Sequence, residues 1–111
     1  MRIAIPVCGG TLCPHFGRAE EFAIIDVIDD KVTDVNYLTP PPHEPGVLPA
    51  WMHELGVDVI ICSGMGPRAQ AFFNQYGIKV IIGAPVLPVE KAISQYLAGA
   101  LPTGENICEH H

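Results

Sequence analysis

Near the amino end, LCPHFGR (residues 12–18) puts a thiol, an imidazole and a guanidinium, those of Cys13, His15 and Arg18, into one short loop. Thiolate and imidazole are soft or borderline donors that select zinc, copper and iron–sulfur species over magnesium or calcium. The Cys-x-His pairing recurs at Cys108 and His110, and His43 stands in a proline-rich stretch. Cys13, His15, His43, Cys108 and His110 are therefore the candidate metal ligands, on condition that the fold brings them to one rim. A second feature, SGMGPR (63–68), sets glycines and a proline where a strand gives way to a helix. Backbone N–H groups at a helix start favour anions, so Gly64, Met65, Gly66 and Arg68, with Arg18, form a candidate anion seat. The turn lacks the lysine and spacing of a P-loop and the third glycine of a dinucleotide fingerprint.

Blander readings stand beside these. A loop histidine is often simply solvated, and the glycine turn can serve backbone geometry alone. Cys8 and Cys62 each end an apolar strand, where a cysteine behaves as a small buried hydrophobe. His53 fits a helix surface, and His111 is terminal. Catalysis has little support: no Ser-His-Asp ordering is evident, a hard carboxylate-rich metal site is absent, and a Cys13 nucleophile with His15 or His43 as base has no signature. The expectation is a protein that is not an enzyme.

Bulk properties narrow the partners. With 111 residues, 49% of them apolar, the chain encloses one core. Six basic against twelve acidic residues leave a net charge of −6, which opposes a nucleic-acid polyanion. The opening MRIAIPV falls short of a secretory core, and no apolar run reaches bilayer length. A cytoplasmic protein with four reduced cysteines, without nucleic-acid or membrane partners, is expected.

The elements that must position these groups read from period and punctuation. RIAIPV (2–7) is a strand apolar on both faces, hence central, with Pro6 tolerated near its end. EFAIIDVID and KVTDVNYL flank Asp29 and Asp30 as a hairpin. TPPPHEPG is a loop. From Val47 the period becomes helical: Val47, Leu48, Trp51 and Leu55 share a face that stops at Gly56. VDVIIC and IKVIIG are buried strands, separated by a helix from Pro67 to Gly77 with Ala69, Phe72, Phe73 and Tyr76 on one face. A last helix runs from near Pro88 to Gly99. The order β-β-β-α-β-α-β-α predicts one three-layer α/β domain, a mixed five-stranded sheet flanked by helices, over 1–99, followed by a flexible tail (100–111) carrying Cys108 and His110. Hairpin and crossover rules then put the carboxyl ends of four strands at one edge, where open α/β sheets usually bind ligands.

HFGRAEEF after the IAIPV strand, HEPGVLPAW, LGVDVIICSGMGPRAQAFF, YGIKVIIGAP and TGENICEH together resemble the dinitrogenase iron–molybdenum cofactor biosynthesis family, the group of NifX, NafY and the NifB carboxyl-terminal domain. The resemblance implies a ribonuclease H-like fold without ribonuclease activity. It implies a small non-catalytic protein that binds or carries an iron–sulfur or molybdenum-containing cluster and meets cofactor-assembly or acceptor proteins. By position it assigns the family's histidines to His15 and His43 and its glycine turn to Gly64, Gly66 and Arg68. Two alternatives remain: a small-anion or nucleotide sensor acting through a protein partner, and a simple zinc or copper binder.

Overall fold

The computed structural model describes residues 1–42, 44 and 46–103. Strands β1 (Arg2–Cys8), β2 (Thr11–Leu12), β3 (Glu21–Ile28) and β4 (Lys31–Leu38) come first. They are followed by α1 (Val47–Glu54), β5 (Val59–Ile61), α2 (Pro67–Gln75), β6 (Lys79–Ile81) and α3 (Val89–Leu97). The sheet order is β4-β3-β1-β5-β6, with β2 paired to β1 off this path. β3 runs antiparallel to β1 and β4, while β5 and β6 run parallel to β1. This is the expected mixed five-stranded sheet, extended by the two-residue β2.

Strand alternation makes the two cores. Ile3, Ile5 and Val7 of β1 point to the face covered by α3, against Ala23, Ile25, Ile61, Ala92 and Ile93. Ala4 points to the other face, with Phe22, Ile24 and Ile60, and meets Leu48 and Met52 of α1 and Phe73 of α2. Two helices thus cover one face and one helix the other. The shortfall falls at β4, where Val32, Val35 and Tyr37 remain 40–46% exposed. An apolar groove of about 740 Å³ lies there, between β3, β4 and α3.

Local chemistry explains the joints. Ile28 pairs with Lys31 across a two-residue turn whose members, Asp29 and Asp30, both have positive φ (52° and 60°), as a type I′ turn requires. Gly56, Gly77 and Gly99 end the three helices in left-handed conformations. Pro6 is tolerated inside a central strand for a positional reason. Its carbonyl accepts the Cys13 N–H at 2.8 Å on the side away from β3, so its missing donor also faces that side, beyond the last β1–β5 pairing at Ala4 and Ile60.

Candidate functional site

The chain connections after β1, β5 and β6 meet at the carboxyl edge of the sheet. The Phe16 N–H donates to the Gly64 carbonyl (2.9 Å) and the Leu12 N–H to Leu87 (2.9 Å). Gly83 donates to Ser63 (2.9 Å) and Ala84 to Cys62 (3.2 Å), while the Ser63 hydroxyl donates to the Ala84 carbonyl. These bonds use backbone groups that no strand pairs, which is why loops far apart in sequence are fixed to one another.

Between the connections after β1, β4 and β5 opens a cleft of about 340 Å³. One wall is Phe16 and Gly17, in a single 3-10 turn (Phe16–Arg18). A second is Glu44, Gly46, Leu48 and Pro49 at the start of α1, and a third is Gly66, Arg68, Ala69 and Phe72 at the start of α2. Phe16 is held from behind by edge-to-face contacts with Phe22 and Phe73, at centroid distances of 5.7 and 5.5 Å. Gly46 has φ +81°, and a Cβ there would stand 3.3 Å from the Phe72 ring, so glycine lets the chain approach that wall.

α2 begins at Pro67 after Gly66, and no side chain caps it. The first-turn N–H groups of Arg68 and Ala69 have no intrahelical acceptor, and both residues line the cleft. Arg68 is exposed and brings a positive charge to the rim; Glu44 is the acidic residue of the lining. The arrangement suits a compact anion held by amide dipoles and one guanidinium against aromatic and aliphatic walls. The larger groove on β4 has no basic residue in its lining, and its charged lining residues are Asp30 and Glu90.

The predicted residues divide sharply. Gly66 and Arg68 line the cleft. Gly64 and Met65 are buried beneath it, Gly64 receiving Phe16 and the Met65 carbonyl accepting from the Gln70 side chain at 2.9 Å. Arg18 ends the 3-10 turn, exposed and outside the lining. His15 is half-buried immediately before Phe16. His43, Cys108 and His110 lie outside the described residues.

The expectation of four reduced cysteines is corrected. Cys13 is bonded to Cys8 in a disulfide, because the hairpin through Gly9 and Gly10 brings the two side chains together. In this form the Cys13 sulfur has no thiolate to offer a metal, and Cys8 is a half-buried cross-link rather than core filler. Cys62 is fully buried in the core, and His53 lies on the helix surface, stacked on Tyr76 at 4.6 Å. Among the described residues no group of three or more His, Cys, Asp or Glu is arranged to hold a metal ion. Sequence reasoning missed Phe16, Gly46, Leu48 and Phe72 as cleft walls. Phe72 carried a signal, being the one aromatic of the α2 stripe next to the glycine turn.

Residues 1–99 match the family model described as dinitrogenase iron-molybdenum cofactor. The chain belongs to that family. An uncharacterized protein from Methanocaldococcus jannaschii is 34% identical over 106 residues, covering 91% of this chain and 89% of its own. The crystal structure of PH0822 superimposes with a TM-score of 0.90 at 28% identity over the whole of both chains. The apo orange protein of Desulfovibrio gigas gives 0.76 at 25% identity, covering 95% and 93% of the two chains. Membership connects this chain with proteins related to the iron–molybdenum cofactor. Among the described residues, no helix is long and apolar enough to cross a membrane.

Proposed function

We propose that the protein is a non-catalytic carrier that holds an anionic metal–sulfur cluster, of iron–sulfur or molybdenum-containing type, as cargo in the cleft between the Phe16 turn and the starts of α1 and α2. The observation that carries this reading is the convergence on one cleft of the α2 first turn, which no side chain caps, the Arg68 guanidinium and the Phe16 wall. Amides and Arg68 offset cluster charge; Gly66 allows the cargo to approach the backbone. His15, at the cleft's edge in sequence, is the proposed ligand among the described residues. His43, Cys108 and His110 are further proposed donors, and Cys13 joins them only when reduced. Few ligands and an open cleft favour release to an acceptor or cofactor-assembly protein. The cytoplasm, where such assembly partners are met, is the proposed location.

A second reading rests on the Arg68 guanidinium and the start of α2 in the cleft lining: the same cleft then holds a small oxyanion by charge and amide contacts alone. Anaerobic reconstitution with iron and sulfide, or with purified iron–molybdenum cofactor, followed by elemental analysis and absorbance, separates the two. The carrier reading expects cluster retention that falls about tenfold or more in Arg68→Ala, the scale of one charged hydrogen bond. Protein that retains no metal–sulfur species, yet is stabilised against heat by molybdate in an Arg68-dependent way, supports the oxyanion reading. No response to either refutes both.

A further inference from the structure

The Cys8–Cys13 bond closes a hairpin that other bonds already hold. Its Cα atoms are 4.9 Å apart, across five positions of sequence. β1 and β2 pair at Val7 with Leu12 and at Cys8 with Thr11. Around that pairing, Cys13 N–H donates to Pro6 (2.8 Å) and Glu20 N–H to Val7 (3.0 Å). Gly9 N–H donates to Glu20 Oε1 (2.8 Å), and the Thr11 hydroxyl to the Cys8 carbonyl (3.1 Å). With Leu12 tied to Leu87 and Phe16 to Gly64, the backbone on both sides of each cysteine is fixed without the cross-link. Breaking the sulfur–sulfur bond therefore leaves two thiols facing each other in place.

The two sulfurs differ in access. Cys13 is 2% exposed, whereas Cys8 is half-buried at the end of its strand. The Cys8 sulfur also lies 3.4 Å from the Arg18 carbonyl oxygen, an acceptor already in position for a thiol proton. Neither cysteine lines the cleft beside Arg68, so the redox state of this pair can be read apart from the hold of Arg68 on cargo.

We propose that Cys8 and Cys13 are a reversible dithiol–disulfide couple whose reduced form is a two-thiolate site for a soft d10 metal ion, copper(I) above all. The reductant is an external dithiol. One of its thiolates attacks the accessible Cys8 sulfur, the Cys8–Cys13 bond breaks, and Cys13 leaves as a thiolate that takes up a proton. The second reagent thiol then attacks its own sulfur in the mixed disulfide and releases Cys8; the reagent departs as a disulfide. Two electrons and two protons enter the protein. At metal–sulfur bonds of roughly 2.3 Å, two thiolates on either side of one ion stand at most about 4.6 Å apart, a span within reach of side chains whose Cα atoms are 4.9 Å apart. With no three-donor group among the described residues, the pair offers two sulfurs to an ion that accepts two-coordination, and soft thiolates select copper(I). Oxidation withdraws both ligands at once.

The test uses the full chain under anaerobic conditions. Wild-type protein, oxidised or treated with dithiothreitol and desalted, is titrated with copper(I) against a chromogenic copper(I) chelator, and its thiols are counted in denaturant. The reduced form is expected to show two more thiols and to take one more copper(I) than the oxidised form. Cys8→Ser and Cys13→Ser are each expected to lose that extra ion, while Cys108→Ser and Arg68→Ala keep it. Equal copper uptake by the oxidised and reduced forms overturns the proposal, as does uptake that survives in Cys8→Ser. The oxidised-against-reduced comparison needs no variant, so a misfolded substitution does not decide the outcome. Loss of cluster retention in Arg68→Ala with copper uptake intact separates this site from the cargo cleft.

Discussion

Arg2 ties three parts of the sheet's far end together. Its Nε donates to Asp26 at 2.7 Å, its Nη1 to the Leu55 carbonyl, and its backbone N–H to Asp58 at 2.8 Å. The hydrogen bond from Arg2 holds the Asp26 carboxyl below its ordinary value of 3.8, against the smaller opposing effect of burial. Because the folded pKa is depressed, this contribution to stability is complete above the unfolded value and disappears as pH falls through the folded one. Urea midpoints measured down an acid series should therefore fall less steeply for Asp26→Asn than for wild type, with the variant less stable at neutral pH. At the same scale the cysteine pair escaped sequence reasoning. Compartment arguments favoured reduced thiols, and only a hairpin through Gly9 and Gly10, at φ +60° and +83°, turns a spacing of five into contact. The glycine pair between two cysteines was the legible clue. Arg68 and Gly66, by contrast, were readable, since a Gly-Pro-Arg start after an apolar strand fixes where a helix begins.

At the scale of elements, period and punctuation located the three helices and the five principal strands, because burial and capping are written locally. β2 was not legible: two residues carry no period, and they pair only because β1 is already in place. The α2 stripe was read as four residues on one face, and of these Phe73 alone is fully buried; Tyr76 is 37% exposed and Phe72 faces the cleft. A helix at the sheet's edge keeps apolar side chains for a wall as well as for a core, and residue type does not distinguish the two. Gly46→Ala and Gly10→Ala test the close approach of α1 to α2. Both force a side chain into left-handed backbone, at about 1–2 kcal/mol, but only Gly46 also meets Phe72. Chemical denaturation should show the greater loss at Gly46→Ala, and cluster retention should fall there while remaining normal in Gly10→Ala. Phe73→Ala, which removes the ring behind Phe16, should cost about 3–5 kcal/mol in the same measurement.

Over the whole molecule, the convergence of loops at one edge followed from strand direction alone, and the structure bears this out for the connections after β1, β5 and β6. Strand direction does not extend to a donor set, because ligation needs side-chain geometry rather than topology, and His43, Cys108 and His110 lie outside the described residues. The cross-link at Cys8 and Cys13 closes a short loop, five residues in sequence, so chain-entropy reasoning gives about 2 kcal/mol for its removal. Reduced and oxidised protein should differ by that amount in unfolding free energy while keeping the same far-ultraviolet circular dichroism. Sheet order also governs how the chain reaches this state. β1, β3 and β4 are neighbours in sequence and in space, whereas β1 must wait for β5, with Ile3 opposite Val59, 56 residues later in synthesis. A nascent meander therefore leaves the ribosome with Ile60, Phe73 and Ile93 still unmade, both its greasy sides bare. Its yield in cells should depend on chaperones that shelter that half-built sheet until the second half arrives.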